Sequence, residues 1–504
     1  MKPDRTPRQS GTILGGAGVL VVGRNVVAAL GWLGTVIIVR QLSQQEWGQY
    51  SLIVSLLGII GFIADLRLSR IVLRDVMGAG HEIAGEVVGS YVGLRLVIGL
   101  VSYLIALAWV LLGSYSRDVV LGTAVMGLNL VILSAAFGVT LLFEARLWLR
   151  DVAFGNALGQ LVQFATTVAI AFAGVASILW FSWATVINSI VVVAWLAFVA
   201  HRTTRLRFRL QWSQWWLWMR EAAPLALGSA LDTIYFRIDV VMLAALSTYT
   251  AVGTYSVGYK FSDLLGAVPL AVITPALTLM VAAWPHDVPA FRRTFRHSLI
   301  ILTVGSLGAC AGFLVFAGPL VSALYTERYA HAANSARLLV VGQGLHFFTL
   351  LAFTTLVAVG RNKLYPIAML VGVVVNVALN LILIPRYSYI GSGWATVVTE
   401  VLVLIVLTIG VLRIPGVRPL PWVPIAKCAV AATTAGLVGW ALLGRIPWPV
   451  AGLVTGLVYL GVVHVIRVDG PGGLRVLAGE GRDDRPVASG PADGPTPRDP
   501  ESAG

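Results

Sequence analysis

Ionisable side chains fall inside long apolar stretches of this sequence, among them Arg24, Asp65, Arg67, Arg95, Asp232, Arg237, Asp239, Lys260, Asp263 and Glu400. A charge at the centre of a bilayer costs about 3 kcal/mol or more, so each must face a partner or a water-filled cavity. The five cations, Arg24, Arg67, Arg95, Arg237 and Lys260, lie in five different stretches. Brought together they would line a cationic cavity for an anionic headgroup, since a guanidinium pairs phosphate oxygens through a planar fork. The carboxylates Asp65, Asp232, Asp239, Asp263 and Glu400 would balance those charges or take up the H+ or Na+ that drives a transport cycle. Spacing adds detail. Asp232 and Asp239 are seven apart and stack on one helix face. Lys260 and Asp263 are three apart and can touch. Asn156, Gln160 and Gln163 form a polar stripe at helical spacing, as do Asn376 and Asn380, and such stripes suit helices that border an aqueous cavity. The competing reading is interhelical salt bridging, for example Asp239 with Lys260 or Asp65 with Arg95.

Other chemistry finds no footing. There is no Walker A pattern, so ATP drive within the chain is not expected. His81, His286, His297 and His331 have no partners at metal-ligand spacing, and Cys310 and Cys428 lie far apart in apolar segments. No cofactor, no metal and no catalytic residue are expected, and the chain reads as a transporter, not an enzyme.

The elements that position these residues follow from composition. The 504 residues are 58% hydrophobic and 12% charged, with mean hydropathy +0.85. A soluble fold needs about twice that share of charge to cover its surface. The sequence predicts an all-α polytopic membrane protein with about fourteen spans, near 12–39, 48–71, 87–112, 119–143, 152–174, 178–200, 222–246, 253–282, 295–317, 337–359, 365–385, 391–412, 424–444 and 449–466. The net charge of +13 speaks of sidedness and not of nucleic acid. Loops on one side hold twenty Lys and Arg before the tail, those on the other side six. By the positive-inside rule both termini are expected on the cytoplasmic side, and the membrane expected is the inner (plasma) membrane. Residues 1–11 form a basic N-terminus, and 468–504, with eight Gly and six Pro, a disordered cytoplasmic tail.

Two halves are expected. A basic linker over 201–221, rich in Trp212, Trp215, Trp216 and Trp218, separates helices 1–6 (12–200) from helices 7–12 (222–412). Tryptophan with arginine suits a surface-lying segment in the headgroup layer, or a dock for a diphosphate headgroup. The hairpin Leu42, Ser43, Gly48, Gln49, Tyr50, Ser51 recurs as Leu246, Ser247, Gly253, Thr254, Tyr255, Ser256. Repeats of this kind are a transporter architecture, and 413–467 adds two further helices. Pro269 and Pro275 predict a kink in the eighth span.

The segment Asn380, Pro385, Gly391, Gly393, Ala395, Thr396, Glu400 resembles a motif of the polysaccharide-transporter flippases, and the hairpins at Arg40–Tyr50 and Asp239–Ser256, with Lys260 following, resemble the same family. Ser392 and Trp394 stand where that family usually has small residues. The family belongs to the multidrug/oligosaccharidyl-lipid/polysaccharide exporter (MOP) superfamily. The resemblance, over roughly 12–466, implies two pseudo-symmetric six-helix bundles, alternating access, and a lipid-linked oligosaccharide carried on undecaprenyl diphosphate from the inner to the outer leaflet. The expected partners are that lipid, the membrane lipids, H+ or Na+, and the glycosyltransferases and polysaccharide polymerase before and after it. The alternatives are a lipid II flippase, which fourteen spans also suit, and an ion-coupled MATE-like drug exporter, which would need fewer cavity cations. A membrane glycan polymerase or ligase would need a large outer loop, which this chain lacks.

Overall fold

The computed structural model describes residues 11–65, 68–78, 81–146, 148–203, 211–415, 417–418 and 420–468; side chains at 11–25, 63–65, 81–84, 203, 224–225 and 227–229 are outside that set. The expectations for residues 1–10, for the tail from 469 onward and for the arginines at 205, 207 and 209 lie outside the described residues.

Helices α1 (Gly11–Gln41), α2 (Gln44–Asp65), α3 (Leu68–Gly78), α4 (His81–Leu112), α5 (Arg117–Met126), α6 (Leu128–Ala145), α7 (Leu149–Phe172) and α8 (Ile178–Thr203) make up the first part. Then come α9 (Trp212–Tyr235), α10 (Ile238–Leu246), α11 (Tyr249–Leu265), α12 (Val268–Ala283), α13 (Val288–Tyr325), a 3-10 turn at Glu327–Tyr329, α14 (Ala332–Ala358), α15 (Leu364–Val411), α16 (Trp422–Leu442) and α17 (Trp448–Val465). The fold is all-α. Among the described residues nine helical stretches are long and apolar enough to cross a membrane. One of them, Leu364–Val411, has 48 residues and breaks at Ser388, where φ is 50° and ψ −133°. At 1.5 Å per residue it reaches about 72 Å, length for two passes.

Local chemistry sets several boundaries. Ser43 and Glu46 form a reciprocal cap at the start of α2: the Glu46 N–H donates to Ser43 Oγ at 3.2 Å, and the Ser43 N–H donates to Glu46 Oε2 at 2.8 Å. Thr248 and Asp287 cap α11 and α13, accepting from the N–H groups of Ala251 at 3.1 Å and Ala290 at 2.8 Å. The eighth expected span divides at Gly266–Ala267, with Pro269 in the first turn of the helix that follows, and Pro275 lies inside that helix without interrupting it.

The helices pack in two groups. In the first, α4 lies on α6, α7 on α8 and α1 on α7; in the second, α11, α13 and α15 surround α14, and α16 and α17 lie against α13. The groups meet where α2 packs on α11, α10 and α9, and where α3 packs on α9. The α2–α11 crossing is close because of the repeated motif. A Cβ at Gly48 would overlap the Tyr249 carbonyl oxygen, and one at Gly253 would overlap the Gln44 carbonyl oxygen. Each glycine thus admits the backbone four residues before the other. Arginines fasten the same end: Arg40 donates to the carbonyls of Leu324 at 2.7 Å and Ala323 at 2.6 Å, Arg328 donates to the Leu42 carbonyl at 3.3 Å, and Gln44 donates to the Arg328 carbonyl. Beneath this clasp a continuous apolar core that includes Ile38, Leu42, Trp47, Tyr50, Tyr325 and Tyr329 seals that end of the molecule.

The Trp-rich segment departs from expectation. Trp212 onward is the first turns of α9 and not a separate linker. Trp215 and Trp218 are buried: Trp215 Nε1 donates to Ser90 Oγ at 2.9 Å, and Trp218 Nε1 donates to Asp75 Oδ2 at 2.8 Å. Only Trp212 and Trp216 stay exposed, as a headgroup-layer side chain would.

Candidate functional site

The break between α9 and α10 creates the site. The Arg237 N–H turns back to the Ile234 carbonyl at 3.1 Å, and the Phe236 carbonyl accepts instead from the Tyr259 hydroxyl of α11 at 2.9 Å. A helix broken among apolar helices is tolerated when a neighbour re-satisfies the freed backbone in this way. Arg237, at the break, points into a chamber of 250 Å³. Lys260 and Asp263 of α11 line the same chamber, with Lys260 Nζ 3.9 Å from Asp263 Oδ2. Across from them stand Gln160 and Gln163 of α7, and the roof is Ile38, Trp47 and Tyr50, which belong to the core under the clasp. Gln163 Oε1 accepts from Asn188 Nδ2 at 2.6 Å, so its amide nitrogen remains to serve the chamber. Among the described residues the Arg237 side chain has no hydrogen-bond or ion-pair partner. The chamber therefore presents one guanidinium with its donors unclaimed, one loosely held ammonium and one carboxylate. It suits an oxyanion.

The other expected residues lie elsewhere. Arg95 does not line the chamber: it is fully buried in α4, donates to the Tyr91 hydroxyl at 2.7 Å and stacks on Tyr91 and Phe137, with its guanidinium carbon 5.2 and 5.3 Å from the ring centres. The side chains of Arg24 and Asp65, and Arg67 altogether, lie outside the described residues. Asp232 and Asp239 do not share a helix face, because the break separates them. Asp232 accepts from the Tyr365 hydroxyl at 2.8 Å, whereas Asp239 accepts from the Val240 N–H at 2.8 Å and from the Tyr255 hydroxyl. Asp239 is thus held by Tyr255, and not by Lys260.

Glu400 has partners that the sequence did not suggest. Its Oε2 accepts from the Tyr235 hydroxyl at 2.8 Å, and its Oε1 lies 3.1 Å from His346 Nδ1. Asp239, Glu400 and His346 surround a cavity of 20 Å³, enough for one water-sized occupant. Phe236 and Tyr259 line both this cavity and the chamber, so the two are neighbours across one wall. Among the described residues no group of three or more His, Cys, Asp or Glu could hold a metal ion. Of the polar stripes, Gln160 and Gln163 reach the chamber, but Asn156 does not. Asn376 and Asn380 are buried and away from the chamber, and Asn380 Nδ2 donates to Asn376 Oδ1 at 2.9 Å.

Known proteins agree with this architecture. The sequence profile described as "Polysaccharide biosynthesis protein" matches residues 37–334. The chain belongs to that family. Its fold is that of the MOP superfamily. A structure of the lipid II flippase MurJ in an inward closed conformation superposes with a TM-score of 0.74 at 13% identity, covering 91% of this chain and 99% of that one. An inward-facing multidrug resistance MATE transporter gives 0.63 at 14% identity, with coverages of 78% and 98%. A MOP superfamily transporter from Pyrococcus furiosus Vc1 gives 0.52 at 15% identity, with coverages of 78% and 92%. No curated protein matches the chain in sequence. The arginine at the α9–α10 break and the carboxylate–histidine cavity behind it thus lie within a MOP fold in a polysaccharide biosynthesis protein.

Proposed function

We propose that this protein is a flippase that carries undecaprenyl-diphosphate-linked oligosaccharide repeat units from the inner to the outer leaflet of the plasma membrane for polysaccharide biosynthesis. The observation that carries this reading is the Arg237 guanidinium, which donates no hydrogen bond among the described residues, beside Lys260 in a chamber lined by both helix groups beneath a sealed end. Diphosphate would bind Arg237 and Lys260, and the chamber amides would meet the first sugar. The clasp at the α1–α2 hairpin is then the outer closure, and both termini are cytoplasmic. The chain makes fourteen passes, arranged as two six-helix bundles (12–200 and, from the start of α9, 212–412) and followed by two added helices. Transport is rocking of one bundle on the other around the chamber, as alternating access requires. Asp239 and Glu400, a wall away from the headgroup, take up H+ or Na+ and couple its movement to the cycle. Glycosyltransferases supply the cargo, and a polymerase consumes it.

The test is flipping by purified protein in proteoliposomes, with a fluorescent undecaprenyl-diphosphate oligosaccharide whose accessible fraction is read by an impermeant quencher. Arg237→Glu should abolish translocation, and Arg237→Lys should retain part of it. Full activity of Arg237→Glu would remove the headgroup model. Lipid II, offered as competitor, decides the second reading, which the likeness of fold to MurJ makes the natural comparison. A cationic dye as substrate decides the drug-export reading, which the surplus of bases over acids in the chamber disfavours.

A further inference from the structure

The chamber has a second compartment beside it. Val54 and Thr185 line the chamber and also a neighbouring cavity of 370 Å³ between α2, α5–α6 and α8. The walls of this compartment are largely hydrocarbon, including Leu57, Met126, Leu130, Leu133 and Phe137. Its few polar groups are mostly turned to each other or to backbone: Asn129 Nδ2 donates to Thr185 Oγ1 at 3.2 Å, and Ser134 Oγ donates to the Leu130 carbonyl at 2.6 Å, while the buried Asn129 Oδ1 accepts no hydrogen bond among the described residues. No charged side chain lines it. The space exists because α2 has glycine where a larger residue would fill it. A Cβ at Gly58 would meet nothing within 4 Å, and one at Gly61 would meet only a Leu130 methyl, at 3.2 Å.

We propose that this compartment seats the first prenyl units of the lipid whose diphosphate binds Arg237 and Lys260. The inference rests on the headgroup reading above. Three observations support it. The compartment adjoins the chamber, with Val54 and Thr185 in the wall of both. The division of chemistry follows the division of a polyprenyl diphosphate, with cations on the α10–α11 side and hydrocarbon on the α2–α6 side. A soluble anion such as a nucleotide sugar would gain nothing from the apolar half, whereas a prenyl chain leaves water as it enters. The chain attached to the diphosphate is therefore recognised together with its head, and the compartment selects for lipid-linked cargo.

Two probes separate head from chain: inorganic diphosphate and farnesyl diphosphate, each titrated against the full chain in phosphatidylcholine nanodiscs. The wild type should bind farnesyl diphosphate about tenfold more tightly or better, the advantage expected for burying part of the chain. Gly58→Leu, which fills the compartment, should erase that advantage and leave inorganic diphosphate binding unchanged. Leu133→Asn, which makes the wall polar without filling it, should reduce the advantage and serves where Gly58→Leu fails to fold. Arg237→Ala should weaken both probes equally. Should Arg237→Ala weaken both while the chain advantage survives Gly58→Leu and Leu133→Asn, the compartment holds bulk phospholipid chains, and this assignment is overturned with the headgroup site intact. Should neither probe bind, or Arg237→Ala change nothing, the headgroup reading fails and the compartment assignment falls with it.

Discussion

Glu400 ties α15 to two other helices through opposite oxygens, Tyr235 on one and His346 near the other. Glu400→Ala would leave a buried hydroxyl and a buried imidazole without their acceptor, a loss of about 1–3 kcal/mol. The thermal midpoint of the detergent-solubilised protein should fall accordingly, and Glu400→Gln, which keeps an acceptor, should fall less. Sequence reasoning marked Glu400 because a carboxylate in an apolar stretch needs a partner, but it missed His346. That histidine has no acid three or four residues away, so only tertiary packing reveals the pair. The same limit applies to Arg95. Its type and placement are those of a cavity cation, yet Tyr91, one turn before it, and Phe137 of α6 take up the guanidinium. At Arg237 the outcome was the reverse, since the residue is exposed to the chamber only because the helix breaks there. Tyr259→Phe removes the hydroxyl that satisfies the Phe236 carbonyl at that break. It should weaken inorganic diphosphate binding severalfold without touching the cations, a change readable by calorimetry.

Among the elements, α2 and α11 show most directly how sequence became structure. The duplicated hairpin motif was visible as a repeat, and its position at the start of matching helices was legible from hydropathy. That Gly48 and Gly253 face each other was not, because a repeat says that two segments are alike and not that they touch. Gly48→Val would force side-chain atoms against the Tyr249 carbonyl and part the helices at this end. In a background with Cys310 and Cys428 replaced by alanine, a cysteine introduced at Ser55, a buried chamber-lining residue, should then react faster with a membrane-impermeant maleimide. Unchanged labelling would show that the crossing is not the barrier. The Trp-rich segment teaches a related lesson. Composition assigned all four tryptophans to the interface, but Asp75 of α3, 143 residues from Trp218, supplies a buried acceptor that no local pattern discloses.

For the molecule as a whole, the long apolar stretches and the short loops were legible, because length and hydropathy are properties of the chain alone. Which cations would converge was not, because that depends on how one helix group meets the other. If those groups rock, fixing them where they meet must stop the cycle. A bismaleimide joining Gln44→Cys to Arg328→Cys should abolish flipping in proteoliposomes, while modification of either single cysteine leaves flipping largely intact. The clasp at that junction is made of guanidinium groups on main-chain carbonyls, and among the described residues it holds no acidic partner for Arg40 or Arg328. A pair of opposite charges weakens as the surrounding electrolyte is concentrated. A cation aimed at a peptide dipole, backed by close-packed glycines, has no counter-charge for dissolved ions or protons to displace. If this clasp is the outer closure proposed above, salt that would loosen a pair of opposite charges loosens it less, and the carboxylate through which acid would act on it is Glu46 of the α2 cap.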